Sequence, residues 1–192
     1  MKDFHQECGI ACRLQYTNPE DVSVSPHSNG TNMIVFEGSD TWSNWICNLN
    51  LRTTSIGAHR GFWKYAHWCV RKYDLLRLFR ENDELILTGH SLGAAAAIMV
   101  RYIMRHQSTR VHLVLFGCPK VGTSLFRTKF SKVINESSVS FCNPDDPVPC
   151  LPCGFCVKGY THVLDIEYLP MNIRETHGHA MQTYCESNIP KS

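Results

Sequence analysis

Gly89-His90-Ser91-Leu92-Gly93 constrains this chain more than any other stretch, because of what flanks it. Before it, Glu84-Leu85-Ile86-Leu87-Thr88 reads as a short buried strand. After it, Leu92 to His106, rich in alanine, reads as a helix. A strand that passes into a helix through a G-x-S-x-G run lifts its serine above the end of the sheet on a sharp turn. Glycines on either side let neighbouring backbone come close, and Ala94 to Ala97 let the helix lie close to the sheet. The free N–H groups and positive end of the helix then sit beside the serine. A turn with a capping serine would need none of this context, so Ser91 is a candidate nucleophile.

The rest of the chain alternates in the same way. Met33-Ile34-Val35-Phe36, Val111 to Phe116, Val139 to Cys142 and His162 to Tyr168 read as strands. Phe62, Tyr65, Ala66, Cys69, Val70, Tyr73 and Leu76 fall at helical spacing, which predicts one amphipathic helix over residues 59–80. A short helix is expected from Ala180 to Cys185. Strands alternating with helices imply an α/β fold, with a mainly parallel central sheet covered on both faces. At 192 residues the chain reads as a single domain, in which residues 1–32 are the least patterned.

A serine hydroxyl is a weak nucleophile until a base takes its proton. In strand-turn-helix sites of this kind the partners follow in the order serine, acid, histidine. Asp145 and Asp146 follow a predicted strand and precede Pro147, at the edge where open α/β sheets build their sites. The same run also reads as a plain Asp/Pro turn, and position does not choose between the two aspartates. Of the later histidines, His162 opens a predicted strand, whereas His177 and His179 lie in a polar loop before the last helix. His112 precedes the acid and is disfavoured by chain order.

Eight segments in order, from Ile34 to Tyr184, resemble the class 3 lipases, the family of the fungal triacylglycerol lipases. Val35-Phe36-Glu37-Gly38-Ser39 is similar to the family's oxyanion turn, with Glu37 where arginine is usual. Asn44 to Leu49, His59-Arg60-Gly61-Phe62 and Gly89 to Gly93 are similar to its next three motifs. Phe116 to Gly122, Asp146 to Pro152, Gly159 to His162 and His179 to Tyr184 are similar to the remaining four. The resemblance implies an α/β-hydrolase-type fold and a lipid or ester substrate cleaved without a cofactor. It selects Asp146 as the acid and His179 as the base. It also implies an oxyanion hole from Ser39 and the N–H of Leu92. Trp42, Trp45, Ile46 and Leu49 form one apolar stripe where the family carries its lid, which implies transient contact with a lipid interface.

Composition excludes other classes. Charged residues are 19% of the chain and the net charge is +2, so nothing argues for nucleic acid. No apolar run is long enough to span a bilayer. The N-terminus shows no apolar leader, which weighs toward a cytoplasmic rather than a secreted protein. Ten cysteines are many for this length. Cys150-x-x-Cys153-x-x-Cys156, with Cys142, is an uncommon spacing for zinc, and no metal is expected.

Overall fold

The computed structural model describes residues 4–38, 52–134, 137–152, 159–169 and 179–186. Six strands form the main sheet: β1 (Val22–Pro26), β2 (Asn32–Phe36), β3 (Glu84–His90), β4 (Arg110–Phe116), β6 (Ser138–Cys142) and β8 (Ile166–Tyr168). They lie in the order β1-β2-β3-β4-β6-β8. Only β1 runs antiparallel to its neighbour; every other pairing is parallel. A two-stranded ribbon joins β5 (Gly122–Thr123) to β7 (Tyr160–Thr161). The expected α/β architecture with a mainly parallel sheet is what the chain adopts.

Alternation along the strands feeds two cores. Ile34, Phe36, Leu85, Leu87, Leu113 and Leu115 face helices α2 (Arg60–Lys72) and α4 (Leu92–Ile103). Met33, Val35, Ile86, Val114 and Phe116 face α1 (Phe4–Gln15) and α6 (Met181–Glu186). Full burial of each large apolar side chain contributes about 1.5–3 kcal/mol. Covering both faces is what a parallel sheet requires, and it accounts for the continuous apolar runs of β3 and β4.

Three details differ from the pattern. Residues 59–80 are two helices, because Asp74 adopts a left-handed conformation (φ 46°, ψ 46°) between α2 and α3 (Leu75–Glu81). Apolar spacing reports which face is buried; it does not report whether the backbone continues. The break brings Leu75 and Phe79 into the core. His162 to Tyr168 is not one strand: Tyr160–Thr161 pairs with β5, and only Ile166–Tyr168 joins the main sheet. Residues 1–32 hold α1 and β1, and α5 (Ser124–Phe130) lies between β5 and β6.

Candidate active site

The parallel strands all end at one edge of the sheet, and that edge collects the chemistry. Ser91 follows β3 directly, at φ 55° and ψ −116°. A non-glycine residue rarely takes a positive φ, and it marks stored strain where a structure holds it. The elbow is held by Ser91 N–H, which donates to Phe116 O at 3.0 Å. Both flanking glycines are needed for packing. A Cβ on Gly89 would collide with the backbone of Gly93, and one on Gly93 with the carbonyl of Phe36. Ser91 makes no side-chain cap to α4. Its hydroxyl is spent elsewhere.

Ser91 Oγ lies 2.9 Å from His179 Nε2. His179 Nδ1 lies 2.9 and 2.8 Å from the two carboxylate oxygens of Asp146. A carboxylate only accepts, so Nδ1 carries the proton and Nε2 presents its lone pair to the serine hydroxyl. Asp146 sits in a turn closed by its own N–H donating to Asn143 O at 3.0 Å. That turn buries Asp146 and exposes Asp145. Val148 N–H donates to Asp146 Oδ1 at 2.8 Å. All three residues are buried, so their interactions act away from bulk water.

Two further side chains complete the cluster. Tyr184, from α6, donates its hydroxyl to Asp146 Oδ2 and accepts from Asn143 N–H at 3.2 Å. Burial, then the Asp146 charge, pushes its phenol far above the ordinary range, so it remains a donor at every working pH. His90 packs its ring 4.5 Å from that of His179. Its Nδ1 lies 2.6 Å from the hydroxyl of Tyr16, which follows α1. Burial, reinforced by the neighbouring His179, holds His90 well below the usual imidazole range, so His179 has a neutral ring beside it. The Tyr16 hydroxyl also occupies the space a side chain on Gly38 would need. Nothing in the sequence pattern pointed to Tyr16, because its role depends on where α1 docks.

The other candidates lie elsewhere. His162 Nε2 is 2.8 Å from Pro149 O, and His112 pairs with Glu84 at 2.6 Å near the opposite end of the sheet. His177, Ser39, Trp42, Trp45, Ile46 and Leu49 lie outside the described residues. Leu92 is the first residue of α4, where N–H groups have no intrahelical acceptor.

Among the described residues, the grouping of ligand atoms within 4.8 Å is His90, Asp146 and His179. The 2.8 Å separation of His179 and Asp146 is hydrogen-bond spacing. Two ligands on one tetrahedral zinc, each about 2.0–2.1 Å from it, would sit farther apart. The described cysteines, Cys8, Cys12, Cys69, Cys118, Cys142, Cys150 and Cys185, form no disulfide. Burial lifts the thiols of Cys12, Cys69 and Cys142 to about 12. Cys153 and Cys156 lie outside the described residues.

A sequence model described as Lipase (class 3) matches residues 33–155. The chain belongs to the class 3 lipase family. Within it, this class 3 lipase chain is 29% identical over 150 residues to the secreted mono- and diacylglycerol lipase A of Penicillium cyclopium, covering 71% of this chain and 47% of that protein. It is 33% identical over 97 residues to phospholipase A1-II 4 of Oryza sativa subsp. japonica, covering 47% of this chain and 24% of that one. The chain thus spans about half the length of the fungal relative it matches. Rhizomucor miehei lipase in complex with its propeptide shares the fold, with a TM-score of 0.68 at 20% identity over 86% of this chain and 65% of that one.

Proposed function

We propose that this class 3 lipase chain is a serine ester hydrolase acting on acylglycerols or related lipids, with Ser91, His179 and Asp146 as its catalytic triad. The observation that carries the reading is the unbroken hydrogen-bond line from Ser91 Oγ through His179 to Asp146, on a strained strand-to-helix turn. His179 takes the serine proton as the hydroxyl attacks the ester carbonyl, and returns it to the leaving alcohol. Asp146 keeps the imidazole in the reactive tautomer and stabilises its cation. Water then repeats the sequence on the acyl-enzyme. The developing oxyanion is met by the N–H of Leu92, supported by its place at the start of α4, and by Ser39. Loss of one such donor costs about 100- to 1000-fold in kcat.

The names of the fungal relatives favour mono- and diacylglycerols as substrates. The plant phospholipase A1 relatives favour a second head-group class on the same triad, since the triad does not define the leaving group. Fluorophosphonate labelling of the wild type and Ser91→Ala tests the nucleophile. Absence of labelling on folded wild type sinks the reading, and an ester and phospholipid panel then separates the substrates. Trp42, Trp45, Ile46 and Leu49 are assigned to a lid. Trp45→Ser is expected to reduce turnover of emulsified ester more than of soluble ester, and equal losses on both count against a lid.

A further inference from the structure

α2 buries one face and leaves the opposite one basic and aromatic. Phe62, Ala66 and Cys69 point into the core. Arg60, Lys64, His67, Trp68 and Arg71 recur at helical spacing on the other side, a single stripe running its length. Arg60, Lys64, Trp68 and Arg71 are exposed, and His67 is half-buried. None of the residues of α2 is acidic. A helix face that is merely solvated carries both signs, as α3 does with Arg77 and Glu81 paired at 2.7 Å. Here Arg60, Lys64 and Arg71 have no ion pair among the described residues, whereas neighbouring Lys72 pairs with Asp21 at 3.0 Å. Arg52, also exposed, offers its carbonyl to Arg60 N–H at 2.9 Å and adds another cation at the start of the helix.

The aromatic part of the stripe is held in place. Trp68 is 38% exposed. Its ring stacks on Tyr65 at 5.7 Å, and the Lys72 ammonium lies 4.7 Å over it. Trp63 packs on His67 at 4.9 Å. An indole packed in this way, on the same helix face as Arg60, Lys64 and Arg71, is suited to the headgroup zone of a bilayer. The indole partitions there, and the long cationic stems reach the phosphates.

We infer that the outer face of α2 is a docking surface for an anionic lipid bilayer. Charge complementarity chooses the occupant. Each Lys or Arg near such a surface strengthens attraction about fivefold, and the effect fades as salt rises. The inference does not require Ser91 to be a nucleophile, and it is tested on protein that cannot turn over.

Full-length Ser91→Ala is mixed with vesicles of phosphatidylcholine alone, or of phosphatidylcholine with phosphatidylserine, and binding is followed by co-sedimentation at low and physiological salt. Binding to the mixed vesicles, weakened by salt and nearly absent on phosphatidylcholine, is the expected result. Adding Arg60→Gln, Lys64→Gln and Arg71→Gln together should weaken it about 100-fold while the circular dichroism and Tm stay those of the parent. Trp68→Ser should remove the binding that survives added salt. Equal binding to both vesicle types, or unchanged binding by the triple variant, overturns the proposal. So does displacement by inorganic phosphate, which would mean a discrete anion site, or tighter binding to an RNA duplex than to the vesicles.

Discussion

At the residue scale, the candidate site is a line of four side chains, and Tyr184 is the one no motif logic assigned a role. Its hydroxyl gives Asp146 a donor besides His179, and accepting from Asn143 N–H fixes it there. Removing a hydrogen bond to a charged group costs about 1.5–3 kcal/mol. Tyr184→Phe should therefore lower kcat at least about tenfold without unfolding the protein. Steady-state kinetics on a soluble ester, read beside the Tm of the variant, check this, and an unchanged kcat would make Tyr184 a packing residue only. His90 contributes differently: being neutral, it adds no cation beside His179.

At the scale of elements, the site depends on how closely α4 approaches β2. Ala94 to Ala97 are fully buried against the sheet, and Gly93 lies against the Phe36 carbonyl, with no room for a methyl group. Gly93→Ala should cost more than about 3 kcal/mol, because backbone on both elements must move. Gly30 provides the control. It has a positive φ of 86° and nothing within 4 Å of a built Cβ. Gly30→Ala should cost only about 1–2 kcal/mol, from conformational strain alone. Urea midpoints of the two variants would separate collision from strain; equal losses would contradict the close approach.

For the whole molecule, buried histidines make stability depend on pH. His59 caps α2 through Nδ1, which accepts from Gly61 N–H at 3.1 Å and Phe62 N–H at 3.2 Å. Burial depresses its pKa from 6.5 to about 4. Above 6.5 both folded and unfolded chains hold it neutral, and its stabilisation is complete. As pH falls through that window the unfolded chain takes up the proton first, so stability declines, by on the order of 3 kcal/mol at about pH 4. His90, depressed by burial, acts in the same direction. Urea midpoints across this range should fall on the acid side. His59→Asn keeps a capping side chain that does not titrate, so it should flatten that decline even where it lowers stability overall. An unchanged acid slope in this variant would refute the assignment. Among the described residues no helix is long and apolar enough to cross a membrane.

Much of this was legible in the sequence because the signals are local. β3, the elbow and α4 are announced by an apolar run, paired glycines and consecutive alanines, and Ser91 follows from them. The order of chemistry-bearing residues, with the family resemblance, was enough to name Asp146 and His179. What escaped depends on neighbours distant in the chain. The buried residues of α1 are Cys8, Gly9, Cys12 and Gln15, too small or polar to mark an apolar stripe. They form a packing face only because the sheet leaves one uncovered. The alternation Val22-Ser23-Val24-Ser25 carries a strand signal, yet pairing with β2 is what makes it one. Asp145 and Asp146 are alike in sequence, and only the turn closed on Asn143 buries one and exposes the other. Tyr16, His90 and Tyr184 converge from three separate elements. Local residue chemistry determined which groups could react; tertiary packing decided which of them meet, because distance across a fold is not written in distance along a chain.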